Sequence, residues 1–271
     1  MSFPGSILLS DDEARRQTST QRLPLGTRGV TQDGRVFRYC KNAATDIAVG
    51  KLVGKMANDI SLDLNQDLAT STLYQDELST DATVIVLKPA ATEVIAADTF
   101  KDGYLFVNDL TGEGQYMMVE GNAYVDGTIS ALMPIYLQPG SRLSATLNTT
   151  SLMGVIENKY QDVVISGPDA SHLAPLGVTV RAVTASYYFW LQTWGPCMVW
   201  LNLAVVDGDV ITYDTFTASG TAATVGAAHV IGTSTDAITG GKLMPIGRVI
   251  GHAICVCDTT DHGLINLEIE P

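Results

Sequence analysis

The sequence predicts an all-β protein made of antiparallel β-sandwich or β-barrel units, with an internal β-meander repeat and an extended N-terminal arm. Three observations carry that expectation. The 25 glycines recur at short intervals in Asp-Gly, Gly-Gly and Pro-Gly turns. The runs between them are short and rich in Val, Ile, Thr, Tyr and Phe, the composition of strands bounded by turns. Long segments with a 3.6-residue apolar period are missing. At 271 residues the chain exceeds the usual domain size of roughly 100 to 150 residues. An arm at 1–24, distinct in composition, is followed by a first β region at 25–165 and a second at 166–271, either two units or one continuous unit.

The arm is polar and strand-poor, with acidic Asp11-Asp12-Glu13 beside basic Arg15 and Arg16. Ser10 and Glu13 have the spacing of a capping box, enough for one or two helical turns. Its main apolar groups are Phe3, Ile7, Leu8, Leu9 and Leu23. Ordering about 20 residues costs on the order of 1 to 2 kcal/mol each in backbone entropy. Apolar burial returns only about 25 cal/mol per Å². The arm is therefore expected to be loose, or ordered against a neighbouring subunit.

Strands are expected at Arg35 to Cys40, Thr83 to Leu87, Tyr104 to Val107 and Gln115 to Val119, then at Val163 to Ile165, Val178 to Val183 and Tyr187 to Gln192. Further candidates are Cys197 to Leu203, Val210 to Tyr213, Arg248 to Val256 and Leu264 to Ile269. Gly114 to Gly127 aligns without gaps on Gly195 to Gly208, and Tyr104 to Asp109 parallels Tyr188 to Thr193 just upstream. Each copy reads as strand, glycine turn, strand, Asp-Gly turn, strand, a meander unit.

The formal net charge of −13 repels phosphate backbones and anionic lipid, so neither nucleic acid nor membrane is an expected partner. The most apolar stretch, Tyr187 to Val206, is broken by Gln192, Thr193, Gly195, Pro196 and Asn202 and is no spanning helix. The run Ile7 to Leu9 is too short for a secretory signal, which leads to synthesis in a cytoplasm-like compartment.

No catalytic, cofactor or metal site is expected. Cys40, Cys197, Cys255 and Cys257 are too scattered for a disulfide scaffold and read as reduced, small, buried residues. Cys255 and Cys257 share a face if their segment is a strand, and His252 would take the opposite one. His172, His229, His252 and His262 lack the pairings of a zinc site. Asp63-Leu-Asn65-Gln-Asp67 begins like a calcium loop, but Leu68 replaces the required glycine and Tyr74 the bidentate glutamate, so a polar surface loop is expected. No G-x-S-x-G elbow, P-loop or H-E-x-x-H motif is present. Asp33, Asp102 and Asp207 each precede a glycine and are explained by turns. The aromatic group Tyr187, Tyr188, Phe189, Trp190, Trp194 and Trp200 alternates across both faces of a strand. Part of it must be core, and Trp194 is a candidate for a subunit or capsid contact.

Three segments resemble the decoration (cement) and related virion structural proteins of tailed bacteriophages, particularly those of cyanobacterial and marine phages. They are Leu25-Gly-Thr-Arg-Gly29 with Asp33-Gly-Arg-Val-Phe-Arg-Tyr39, Tyr188-Phe-Trp-Leu-Gln-Thr-Trp-Gly-Pro-Cys197, and Ile246-Gly-Arg-Val-Ile-Gly251 leading to Ile265-Asn-Leu-Glu-Ile269. Residues 55 to 82 carry no such likeness. The resemblance implies a virion protein on the outer capsid surface, made in the host cytoplasm, that clamps major capsid protein subunits together as a homotrimer. The arm would then contact a capsid subunit through Ile7, Leu8 and Leu9, flanked by Arg15 and Arg16. The alternative is a tail-fibre or adhesin module that binds host glycans through exposed tryptophans.

The turn-rich pattern predicts less than about 15% helix, against roughly 30 to 35% in ordinary domains. Far-UV circular dichroism should show a β spectrum, without the double minimum of helical proteins.

Overall fold

The computed structural model describes residues 5–55, 61–68, 79–88, 94–126, 132–148, 150–166, 175–201, 204–213, 226–230, 249–258 and 261–271, with 61–68, 213 and 229–230 described for the backbone alone. Phe3, Gly127, His172, Leu203 and Arg248 lie outside the described residues. Strands make up 48% of the described residues and helix 2%. The protein is all-β.

In chain order the elements are β1 (Ile7–Leu9), α1 (Asp11–Ala14), β2 (Gln17–Thr18), β3 (Arg28–Thr31), β4 (Val36–Lys41) and β5 (Leu52–Gly54). Then follow β6 (Ser61–Leu68), β7 (Val84–Lys88), β8 (Val94–Ile95), β9 (Tyr104–Asp109), β10 (Tyr116–Asn122), β11 (Val125–Asp126), β12 (Met133–Leu137) and β13 (Leu152–Ile156). The last group is β14 (Val164–Ile165), β15 (Gly177–Thr179), β16 (Tyr188–Trp200), β17 (Val210–Tyr213), β18 (Ala228–Val230), β19 (Val249–Ala253) and β20 (His262–Glu268).

The chain folds as two compact units, one made of Met1–Ala57 and Tyr160–Pro271, the other of Asn58–Lys159. This partition differs from a cut between 165 and 166, and the reason is strand pairing. Antiparallel bonds of β5 to β14 and β15 return the chain to the first unit after a long excursion. A composition shift marks no such return.

In the first unit, a twelve-stranded sheet runs in the order β1-β3-β4-β16-β20-β19-β17-β18, with β2, β5, β14 and β15 paired off this path. Strand β16 is its spine. Its first half pairs with β4 from Tyr188 to Trp194 and its second half with β20 from Trp194 to Trp200. Phe189, Trp190 and Leu191 enter one apolar cluster with Phe37, Tyr39 and Ile47. Cys197 and Val199 enter another with Ile211, Ile250, Ile265 and Leu267.

Between the halves the register with β4 shifts, and Gly195 takes φ +86°, a value that an L side chain adopts only under strain. This is a β-bulge. The polar groups it frees are answered locally. Gln192, only 1% exposed, donates its amide to the carbonyls of Trp194 at 3.1 Å and Pro196 at 2.8 Å. Thr193, fully buried, donates its hydroxyl to the Glu270 carbonyl at 2.6 Å, and its own carbonyl accepts the Ile269 amide at 3.1 Å.

The bulge corrects the repeat. Gly114 does sit in the connection of a hairpin, between β9 and β10. Gly195 instead lies inside one 13-residue strand. The two copies share composition but not a meander, because a glycine with positive φ serves a turn in one place and a bulge in the other.

The arm also departs from expectation. Strand β1 pairs in parallel with β3, and β2 pairs with β16. Ser10 caps α1 by accepting the Glu13 amide at 3.2 Å, as the spacing predicted. Leu9 is 5% exposed and Ala14 2%, both within the first unit's own core. Arg35 forms ion pairs with Asp11 of α1 and Asp33. Beyond the apolar groups of the arm, pairing at the sheet edge supplies backbone hydrogen bonds that help offset its ordering entropy.

In the second unit, six strands close into a barrel in the order β10-β12-β7-β6-β13-β9. Ile85, Leu87, Leu105, Val107, Met117, Val119, Ile135, Met153 and Val155 fill its core. Asp63 to Asp67, expected as a loop, lies within β6, which pairs with β7 and β13. Barrel closure overrides the poor strand propensity of its acidic and amide residues.

Leu9→Ala should destabilise the first unit by about 2 to 5 kcal/mol, the usual cost of truncating a buried leucine. Leu8→Ala, at a position 81% exposed, should stay within about 0.5 kcal/mol. Deletion of residues 2 to 22 should lower the melting temperature clearly, where a loose arm would leave it unchanged. Thermal and urea unfolding of the three variants decides the matter.

Candidate interaction surface

Strands β9, β10 and β13 adjoin in the barrel wall, with β9 in the middle. Period-2 alternation sends Leu105, Val107, Met117, Val119, Met153 and Val155 inward. The outward positions on a solvated wall are usually polar. Here they are not. Met118, Tyr104 and Ile156 stand directly opposite one another across the three strands, all exposed. In the neighbouring row Tyr116, Phe106 and Gly154 are opposed, and Tyr116 is 72% exposed.

The Phe106 ring lies over Gly154, so a Cβ there would fall 2.4 Å from the ring. The glycine thus lets the aromatic lie flat on the wall. Tyr104 and Tyr116 meet edge to face, with ring centroids 6.2 Å apart. These residues form one apolar stripe, and the exposed carboxylate residues Asp109, Glu113 and Glu120 lie at or beside the ends of the same two strands, β9 and β10. An exposed apolar stripe rimmed by charge has the physical character of a protein contact.

The residues singled out from the sequence do not assemble into one site. Leu9 is buried, Ile7 is half-buried against the same core, and only Leu8 of the three faces solvent. Arg15 is exposed, and its carbonyl accepts the Arg181 guanidinium at 2.7 Å. Arg16 is exposed and pairs with Glu13 at 3.4 Å. Trp194 is half-buried at the bulge, opposite Val36 and Glu268.

The other aromatics of β16 are also committed. Trp190 is buried and meets Tyr39 edge to face at 5.2 Å. Trp200 is half-buried, with the Lys51 ammonium 4.9 Å from its ring centre and His262 at 5.0 Å. Burial lowers the Lys51 pKa from its ordinary value.

The tyrosine stripe lies outside the tryptophan-rich segment that stands out in the sequence. The signal was present in the alternation of Tyr104 to Val107 and Gln115 to Val119, which opposes these aromatics to a buried face. Among the described residues no group of three His, Cys, Asp or Glu side chains is arranged to hold a metal ion, and no helix is long and apolar enough to cross a membrane. No family model, no curated protein and no solved structure matches this chain.

Proposed function

We propose that this chain is a structural virion protein that decorates the outer surface of a tailed-phage head, clamping neighbouring major capsid protein subunits together as a homotrimer. It acts by binding rather than by catalysis. The observation that carries the reading is the apolar stripe of Tyr104, Phe106, Tyr116, Met118 and Ile156, which suits a protein partner. A net charge of −13 suits a surface turned away from packaged DNA. The resemblance of Leu25 to Tyr39, Tyr188 to Cys197 and Ile246 to Ile269 to decoration proteins points the same way.

The alternative, an adhesin that binds glycans, needs accessible tryptophans. Trp190 is buried, and Trp194 and Trp200 are half-buried, which favours a protein contact over a sugar platform. On this reading the contact has moved from the arm to the barrel wall, since Leu9 is already spent on the first unit's core.

The double substitution Tyr116→Lys with Met118→Lys should leave folding nearly unchanged, because both side chains are exposed. Its attachment to empty heads, measured by co-sedimentation, should fall at least tenfold, equivalent to about 1.4 kcal/mol. Unchanged attachment removes the stripe from the contact. Wild-type binding to a glycan array without attachment to heads supports the adhesin instead.

A further inference from the structure

The half-exposed pair Cys255 and Cys257 differs from the two buried cysteines. Cys40 and Cys197 are buried, and burial pushes the Cys197 thiol up to about 12, so it stays protonated and inert. Cys255 and Cys257 instead sit just beyond the end of β19, partly open to solvent. Their Sγ atoms are 3.9 Å apart. A disulfide needs about 2.05 Å. Two zinc–thiolate bonds of about 2.3 Å at a tetrahedral angle span about 3.8 Å. The sulfurs therefore stand at the separation one bridging ion requires.

The backbone around the pair is arranged for sulfur. The Leu264 amide donates to Cys255 Sγ at 3.2 Å, while Cys255 Sγ and Cys257 Sγ donate to the Leu264 and His262 carbonyls, respectively, at 3.7 Å. Gly263 leaves room for the second sulfur, since a Cβ there would lie 2.7 Å from Cys257 Sγ. Asp258 and Asp261 supply negative charge close enough to act on Cys257, a field that draws cations.

The histidines stay apart. His262 stacks edge to face on Trp200 with its Nε2 at 3.4 Å from the Val49 carbonyl, and His252 pairs with Glu268 at 3.2 Å.

We infer that Cys255 and Cys257 together form a two-thiolate site for a soft divalent cation of the zinc and cadmium type, with the remaining coordination positions open to water. Thiolates select such ions over magnesium or calcium. Each thiol releases its proton as its sulfur bonds the ion, so one cation displaces two protons and no electron changes hands. Because binding displaces these protons, affinity should increase with pH.

Cadmium is the probe, added to the reduced full-length protein. A thiolate-to-cadmium charge-transfer band should grow and saturate at about one equivalent, with about two protons released per ion. Cys255→Ser and Cys257→Ser should each abolish the saturable band, while Cys40→Ser should retain it. In the wild type, cadmium should protect Cys255 and Cys257 from alkylation by iodoacetamide, a readout that does not depend on any variant folding. Absence of the band, its persistence in either serine variant at Cys255 or Cys257, or displacement of cadmium by equimolar magnesium would overturn the proposal.

Discussion

The first unit depends on the bulge at Gln192 to Gly195. A straight 13-residue strand spans over 40 Å at about 3.3 Å per residue and presents each face to one environment. The bulge lets β16 serve two cores. Before it, Phe189 to Thr193 are buried on both faces; after it, Cys197 and Val199 point inward while Pro196 and Met198 face solvent. Such a break would be costly if it left buried amides and carbonyls unpaired. Gln192, Thr193 and the Ile269–Glu270 backbone answer those groups, so the polar residues that interrupt the apolar run are what make its bend tolerable.

The same economy governs the edges of the sheet. An edge strand offers unpaired backbone groups to other chains. At one end the edge is β1, only three residues long, followed at once by a capped helix whose Asp11 is tied to Arg35. Arm, helix and edge are thus one structure, held by Leu9 and Ala14 in the core as well as by backbone pairing. In the second unit closure removes the edges instead, since each barrel strand pairs on both sides. What remains available for association there is side-chain chemistry on the wall, and the Tyr104 and Tyr116 rows supply it.

The barrel-wall stripe and the cysteine pair differ in kind. The stripe offers broad, apolar, aromatic contact area, suited to a macromolecule. The cysteine pair offers two sulfurs at a defined distance, suited to an ion. Each lies within one unit: Ile156 joins Tyr104 across 52 positions, and Leu264 and Gly263 meet Cys255 and Cys257 respectively from the next strand.

The sequence by itself determined the all-β class, the strands of Val36–Lys41, Val84–Lys88, Tyr104–Asp109 and His262–Glu268 to within a few residues, and the Ser10 cap. Those features are local: turn glycines, two-residue alternation and a side chain reaching three positions ahead act within a short window. Cys255 and Cys257 do lie side by side, but just beyond the end of β19 rather than on the strand face that their i, i+2 spacing suggests. Only the tertiary structure decided that 58–159 is inserted between two parts of one sheet, that Gly195 makes a bulge rather than a turn, and that Leu9 belongs to its own core. The physical reason is common to all three. Each depends on which distant strand becomes a neighbour, and β pairing draws on backbone groups that every residue carries, so side-chain identity alone does not name the partner.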